Sequence, residues 1–519
     1  MAENTNYKGI IIGKSITEII VRTSPGNHLL MGEILVSGGD DIRYFLRVVD
    51  ISYGFEPGDT GWALNIAGNL MKMDFAERGG EIFDRGKRSF ELGRCVILGY
   101  TCNGHFKRAK SLPPLFSRVS IPEPGDFQFI EDYAGDLSVG KLRSGEETLE
   151  LNVGMGKRYI PSHVGIFATT GMGKSNLMKT LSAAVMESDD TGLLIFDPHG
   201  EYIDGGDQTK KGLIDHALAK DRLTVYSYRD LSIRCNKLRL SPSEIDTEDL
   251  LHLFDFSQAQ MEAAYALRRA YNVNWLRELD SRELEDIVED LPSTKFHEMT
   301  IAVLQRRANQ ILNQPIFHRD QSVSVTRNII SELKNGKVVL IDLSGLSGWR
   351  ELLPAAVISR MVFESYRADF SSAEKFKALP NIAIVLEEAQ RVLGQLSGSK
   401  DNVFARICRE GRKFKVGLTA ITQQPKLINE EILSQFNTLF ILGLADERDR
   451  NILRASSRQD ISELSREIQM LQPGEALISS PQTPFAIPAK IELYEEHLRT
   501  YHPPKSPKRE KIPPDENFF

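Results

Sequence analysis

Hydrophobic and polar positions along the chain fall into two rhythms. Up to about residue 155, short β-branched apolar runs at 9–13, 19–22, 31–37 and 45–51 are split by turn signals. Those turns are Ser24-Pro25-Gly26-Asn27, Gly38-Gly39-Asp40-Asp41 and Pro57-Gly58-Asp59. Residues 95–100 and 148–153 continue the pattern, 65–77 have the period of an amphipathic helix, and the Pro-rich 112–126 read as a long loop. Closely spaced strands with Gly-rich turns predict a small β-barrel, which removes open sheet edges.

After Gly154 the rhythm changes. Apolar strands at 164–168, 192–197, 223–228, 338–342, 382–386, 417–422 and 438–444 alternate with long helical patterns. That alternation predicts an α/β core with a largely parallel, doubly wound sheet. Strand signals stop between Pro242 and Lys334, where helical period and the capping signature Ser257-x-x-Gln260 predict an insertion about four helices long. The Pro-rich end from His502 reads as an extended arm. The expected division is therefore a barrel over 1–155, the core over 156–240 and 335–491, a helical insertion over 241–334, and an arm over 492–519.

Composition narrows the function classes. The 519 residues carry 64 Lys plus Arg and 71 Asp plus Glu, a formal net charge of −7, with 41% hydrophobic and 26% charged residues. Disorder along the whole chain is excluded, and so is a protein that coats nucleic acid with its entire surface; a local basic groove or pore is not. Cys95, Cys102, Cys235 and Cys408 are too scattered for a disulfide framework or a zinc site. No secretion signal opens the chain, and no apolar run approaches the roughly 18 residues that a membrane span needs. The expectation is a reduced, cytoplasmic protein without a membrane segment.

The strongest chemical signal is Ala168-Thr169-Thr170-Gly171-Met172-Gly173-Lys174-Ser175, between a predicted strand and a helix beginning near Asn176. Spacing and context match a phosphate-binding loop, except that Ala168 takes a position usually held by glycine. Backbone N–H groups of Thr170–Ser175 and the helix dipole would cradle phosphate oxygens. Lys174 would bridge the β- and γ-phosphates of ATP, and Ser175 would ligate Mg2+. A second signal is Glu387-Glu388-Ala389-Gln390 at the end of an apolar strand, where ligands bind in open α/β sheets. There Glu387 would support Mg2+ and Glu388 would polarise the attacking water. In Asp197-Pro198-His199-Gly200-Glu201-Tyr202, Asp197 or Glu201 would position water or metal, and Gln423 ends another strand with an amide able to sense a γ-phosphate. Arg406, Arg409, Arg412 and Lys413 form a basic stripe, from which an arginine can reach a neighbour's nucleotide.

Taken together, the strings ATTGMGKSN, FDPHGEY, VVLIDLSGL, LEEAQ, REGRKFKVGL and TQQP resemble the HerA family of the HerA/FtsK group of hexameric DNA-pumping ATPases, from about residue 8 to 491. The resemblance implies an N-terminal HAS barrel, a RecA-like core, a homo-hexameric ring with double-stranded DNA in its channel, and association with a NurA-type nuclease in DNA-end processing. It also implies Lys174 and Ser175 as the Walker A pair, Glu388 as the catalytic glutamate, Gln423 as the family's motif glutamine, and Arg409 or Arg412 as an arginine finger. The chain departs from the family at Gln390, where His is frequent, and at Gln424, where Arg is frequent.

Overall fold

The computed structural model describes residues 6–39, 41–55, 61, 64, 89–205, 210–251, 253–291, 296–318, 320–394 and 402–502. The helix expected over 65–77, the turn at 57–59 and the part of the arm beyond residue 502 lie outside these residues; the start of the arm expected over 492–519 is instead a helix, Tyr494–Thr500, with Tyr494 buried.

Strands β1 (Tyr7–Ser15), β2 (Glu18–Thr23), β3 (Ile34–Gly38), β4 (Ile42–Phe55), β5 (Ser89–Cys102), β6 (His105–Lys107) and β7 (Arg118–Ser120) curl around one core, with burial alternating most plainly along β2. The order is β2-β1-β7-β3-β4-β5, and β2 pairs again with β5, so six strands close a barrel with β6 attached to β5. Ile11, Ile19, Val21, Leu35, Leu46, Val48, Cys95 and Val119 fill it. The closing strand β7 lies within the stretch expected as a loop, because three residues are too few to display a period of two.

The second sheet contains β8 (Leu137–Ser144), β9 (Glu147–Met155), β10 (Val164–Phe167), β11 (Thr191–Asp197), β12 (Leu223–Ser227), β13 (Asn236–Lys237), β14 (Val338–Asp342), β15 (Asn381–Leu386), β16 (Val416–Thr422), β17 (Thr438–Ile441), β18 (Glu475–Ser479) and β19 (Ile487–Ile491). Its order is β13-β12-β14-β11-β15-β16-β10-β17-β18-β19-β8-β9, parallel from β13 to β17 and antiparallel beyond. Strand β16 separates β10 from β15, the arrangement of a RecA-like P-loop ATPase core. Strands β10, β11, β14 and β16 are buried throughout, as a sheet covered on both faces requires.

Strands β8 and β9 correct the expected pairing. Residues 148–153 do not continue the barrel; β8 pairs with β19 and carries the core sheet onward. Leu137, Val139 and Val153 share a buried cluster with Leu177 and Leu181 of the helix Lys174–Met186. Alternation looks the same in a barrel strand and in an edge strand, so the pattern alone cannot choose.

Between Leu240 and β14 the described helices are Thr247–Leu251, Gln258–Tyr271, Trp275–Ser281, Leu284–Asp290, Glu298–Leu312 and Thr326–Lys334, more than the four expected. The capping box forms as read: Ser257 N donates to Gln260 Oε1 at 2.8 Å, and Gln260 N to Ser257 Oγ at 3.4 Å. Barrel and core meet at a buried ion triad, where Arg47 of β4 and Arg143 of β8 both donate to Glu467 Oε1 at 2.6 Å. No helix among the described residues is long and apolar enough to cross a membrane.

Candidate active site

The C-terminal ends of β10, β16, β15 and β11 lie side by side, which brings the four polar segments singled out in the sequence to one edge. The phosphate loop leaves β10 and enters the helix Lys174–Met186 through left-handed turns at Gly171 (φ 82°) and Gly173 (φ 98°). A Cβ at Gly171 would meet nothing, because that side of the loop faces an open cleft. Ala168 is fully buried and donates its N–H to Thr422 O at 3.3 Å, so a methyl group fits where glycine is usual.

Lys174 Nζ donates to Ala168 O at 3.1 Å and Thr169 O at 3.2 Å, which holds its ammonium group against the carbonyls of the loop. Burial holds this amine below its ordinary pKa against the pull of Glu387 and Glu201. Ser175 Oγ donates to Glu201 Oε2 at 2.6 Å. Thr170 Oγ1 donates to Gln423 Oε1 at 2.5 Å, and Thr422 Oγ1 to Gln390 Oε1 at 2.6 Å. Asn176 ties the loop to the C-terminal segment, donating to Glu492 O at 2.8 Å and accepting from Tyr494 N at 2.9 Å. The loop residue Met172 accepts from Gly474 N at 3.2 Å.

Asp197 and Glu201 were alternatives in the sequence, and the geometry separates them. Asp197 is buried and accepts backbone N–H groups from His199, Gly200, Glu201 and Tyr202 at 2.7–3.2 Å, so it organises the turn. Glu201 reaches Ser175 instead. The buried Tyr202 hydroxyl donates to Glu387. Burial pushes Glu387 up to about 7, and Asp197 and Glu201 add to the rise, against the Tyr202 hydrogen bond and Lys174. Tyr202 was quoted in the sequence without a role; its position one residue beyond Glu201 was the available signal.

Glu388 has φ 46°, a left-handed conformation that is rare and costly outside glycine. Its carboxylate stands 3.6 Å from Arg391 Nη1. A cleft of about 990 Å3 joins Thr170, Lys174, Ser175, Glu201, Glu387, Glu388 and Gln423. Lys174, Lys179 and Lys210 border it together with Asp197, Glu201, Glu387, Glu388 and Glu495, a mixture that fits a phosphate chain with a hydrated divalent cation beside it.

Arg409 and Arg412 are elsewhere. They precede β16 at its N-terminal end, and β16 runs parallel to β10, so they sit at the opposite end of the sheet from Lys174. With Arg367 and Lys413 they line a separate hollow, and Arg409 Nε lies 3.2 Å from Glu431. Burial and Arg412 together hold His163 down at about 4. Arg406 does not extend a free basic stripe, since it faces Glu248 at 3.6 Å and Glu364 at 3.9 Å.

The C-terminal helix Tyr494–Thr500 is fastened to the phosphate-loop helix by Glu187, His216 and His497, a trio with metal-ligand composition. Leu218 N donates to His216 Nδ1 at 3.3 Å, so the ring proton sits on Nε2 and is given to Glu187 Oε1 at 3.1 Å. That ring offers no lone pair to a cation. His497 donates to Glu187 at 2.8 Å and to Glu492 at 3.0 Å, and these bonds raise it to about 9. The trio is an ion-paired clasp.

Residues 137–362 match the family described as Helicase HerA, central domain. The chain is 28% identical over 417 residues to the DNA double-strand break repair helicase HerA of Saccharolobus solfataricus, covering 76% of each. It is 26% identical to the protein of that name from Sulfolobus acidocaldarius, covering 83% of each. Among solved structures, the bacterial conjugative coupling protein TrwB aligns at 14% identity and TM-score 0.45 over 68% of this chain and 89% of that one. VirB4 of Thermoanaerobacter pseudethanolicus aligns at 14% and 0.46, over 69% and 96%.

Proposed function

Because the chain is HerA-like across its central domain, we propose that it is an ATP hydrolase that drives double-stranded DNA through a homo-hexameric ring. The observation that carries this reading is the meeting of Lys174, Ser175, Glu387, Glu388 and Gln423 around one cleft. Relatives named as DNA double-strand break repair helicases support DNA as the substrate of the motor. A NurA-type nuclease is the proposed partner, and DNA-end processing the proposed setting.

The arriving triphosphate takes over contacts that the loop makes with itself. Backbone N–H groups from Thr170 to Asn176 receive the β- and γ-phosphates, and Lys174 exchanges the carbonyls of Ala168 and Thr169 for phosphate oxygens. Ser175 leaves Glu201 and, with Glu387, would hold Mg2+; that ion, when bound, supplies charge neutralisation on the phosphates. Glu388 orients the attacking water and accepts its proton as the new P–O bond forms and ADP leaves. Gln423, now bonded to Thr170, exchanges that partner for the γ-phosphoryl group. Arg409 or Arg412, unable to serve its own cleft from the far end of the sheet, completes the cleft of an adjacent subunit.

Purified protein is expected to hydrolyse ATP with Mg2+, faster with duplex DNA, and Lys174→Ala is expected to abolish turnover. A wild-type rate equal to that of Lys174→Ala, with and without DNA, would sink the proposal.

A further inference from the structure

Glu388 borders two spaces, the nucleotide cleft and a small hollow that it shares with Glu351 and Leu352. Its left-handed backbone is held by Ala389 N donating to Ile421 O at 3.0 Å and Arg391 N to Glu388 O at 2.9 Å. Where its carboxylate points therefore depends on what attracts it sideways. Arg391 is the cation within ion-pair range among the described residues, and it is shared. Its Nη1 donates to both oxygens of Glu351 at 2.9 Å and stands 3.6 Å from Glu388, too far for a hydrogen bond.

As placed, Nη1 directs its N–H groups to Glu351, and its attraction to Glu388 is ionic only. Glu351 is buried in the first turn of the helix Trp349–Asp369, whereas Glu388 is half exposed. Behind Arg391 lies a cavity of about 510 Å3, bordered by Glu248 and Asp249 of the insertion and by Trp349, Phe404 and Lys426. Arg391 thus borders a space it shares with the insertion, while its partner Glu351 belongs to the helix beginning at Trp349.

Resting on the ATPase reading above, we propose that Arg391 is a positioning residue that withdraws the Glu388 carboxylate from the cleft when Glu351 lets it go. When Glu351 holds Arg391, Glu388 is free to face the cleft; when Glu351 withdraws, Arg391 closes on Glu388 and takes it out of use. The guanidinium transfers no proton and makes no contact with ATP.

The test is a double-mutant cycle on Mg2+-dependent ATP turnover in the full-length protein, with Lys174→Ala as the zero. Glu351→Gln is expected to lower kcat about 5- to 10-fold at unchanged KM for ATP, because it releases Arg391 onto Glu388. Arg391→Gln is expected to keep or raise kcat, and the double variant to follow Arg391→Gln. Glutamine retains hydrogen bonding at both sites, and Arg391→Lys provides a second variant should Arg391→Gln fold poorly; its ammonium can still pair with Glu351, so kcat should stay within about twofold of wild type, and adding Glu351→Gln to it should lower kcat as in the otherwise wild-type protein. Both glutamine variants lowering kcat with additive effects would overturn the proposal and mark the trio as structural, and so would a loss in KM alone. A wild type no faster than Lys174→Ala would instead overturn the ATPase reading.

Discussion

The triad that joins barrel to core offers a measurable perturbation. Arg47 is fully buried, Arg143 and Glu467 are each 4% exposed, and both guanidinium groups donate to Glu467 Oε1 at 2.6 Å. Replacing Glu467 by Leu keeps the volume but strands the buried Arg47 and leaves Arg143 only the Glu475 carboxylate at 4.0 Å. Breaking a buried pair by removing one partner costs about 3–5 kcal/mol. At about 2 °C per kcal/mol, the low end for large domains, the apparent melting temperature should fall by about 6–10 °C. Scanning fluorimetry at fixed ionic strength measures this, and high salt should not mimic it, because buried pairs are weakly screened. The triad is also incompletely satisfied, since Glu467 Oε2 lacks a hydrogen-bond partner. The variant Arg47→Met/Arg143→Met/Glu467→Leu should therefore regain most of the loss. It would still leave the carbonyls of Ala486 and Gly145 without their donors, at about 1 kcal/mol each. A Glu467→Leu protein melting within 2 °C of wild type, or a triple variant as unstable as the single one, would refute the reasoning.

Other consequences are equally concrete. Tyr202→Phe removes a donor that favours the charged form of Glu387, so this carboxyl should titrate above its present value of about 7; the acid limb of the pH–rate profile should move to higher pH and the Mg2+ requirement should rise several-fold. His497 has a folded pKa raised to about 9 by Glu187 and Glu492, so its stabilisation is complete below about 6.5 and fades as pH climbs through 9. His216 and Tyr501 stack against it, and His497→Gln should flatten the melting temperature between pH 6.5 and 9.5. Arg409→Ala or Arg412→Ala should cut turnover by about 10³-fold with nucleotide binding retained. Mixing either with Lys174→Ala protein should restore part of it; no recovery in rings shown to be mixed would place the arginine's action within its own subunit.

Much of this was legible in the chain. Strands β10, β11, β14, β15 and β16 announced themselves as apolar runs ending in polar groups, because a strand covered on both faces has no room for alternation. The turn from β10 into the helix Lys174–Met186 was legible from the spacing of Gly171, Gly173 and Lys174 between an apolar strand and a helical period. Pairing was not: residues 148–153 of β9 alternate as they would in either sheet, and it is the pairing of β8 with β19, Leu142 against Ala489, that decides where the hairpin belongs. Partnerships across long separations were also invisible, such as Tyr202 with Glu387, Arg391 with Glu351, and Glu467 with Arg47. Each depends on which strand ends become neighbours, and that is set by the crossover order. The basic stripe shows the converse. Helical spacing put Arg406 with Arg409 and Arg412, but Glu248 and Glu364 claim it from the packed insertion and the helix beside it.

The central claim is that hydrolysis at the Lys174–Glu388 cleft moves duplex DNA, and displacement of a labelled third strand from a triplex tests it most directly. Wild-type protein with ATP and Mg2+ should release the strand with a lag that lengthens with the duplex run ahead of it. Lys174→Ala and Glu388→Gln should bind the same DNA and release nothing. Vigorous ATP hydrolysis by the wild type without any strand release would contradict the account.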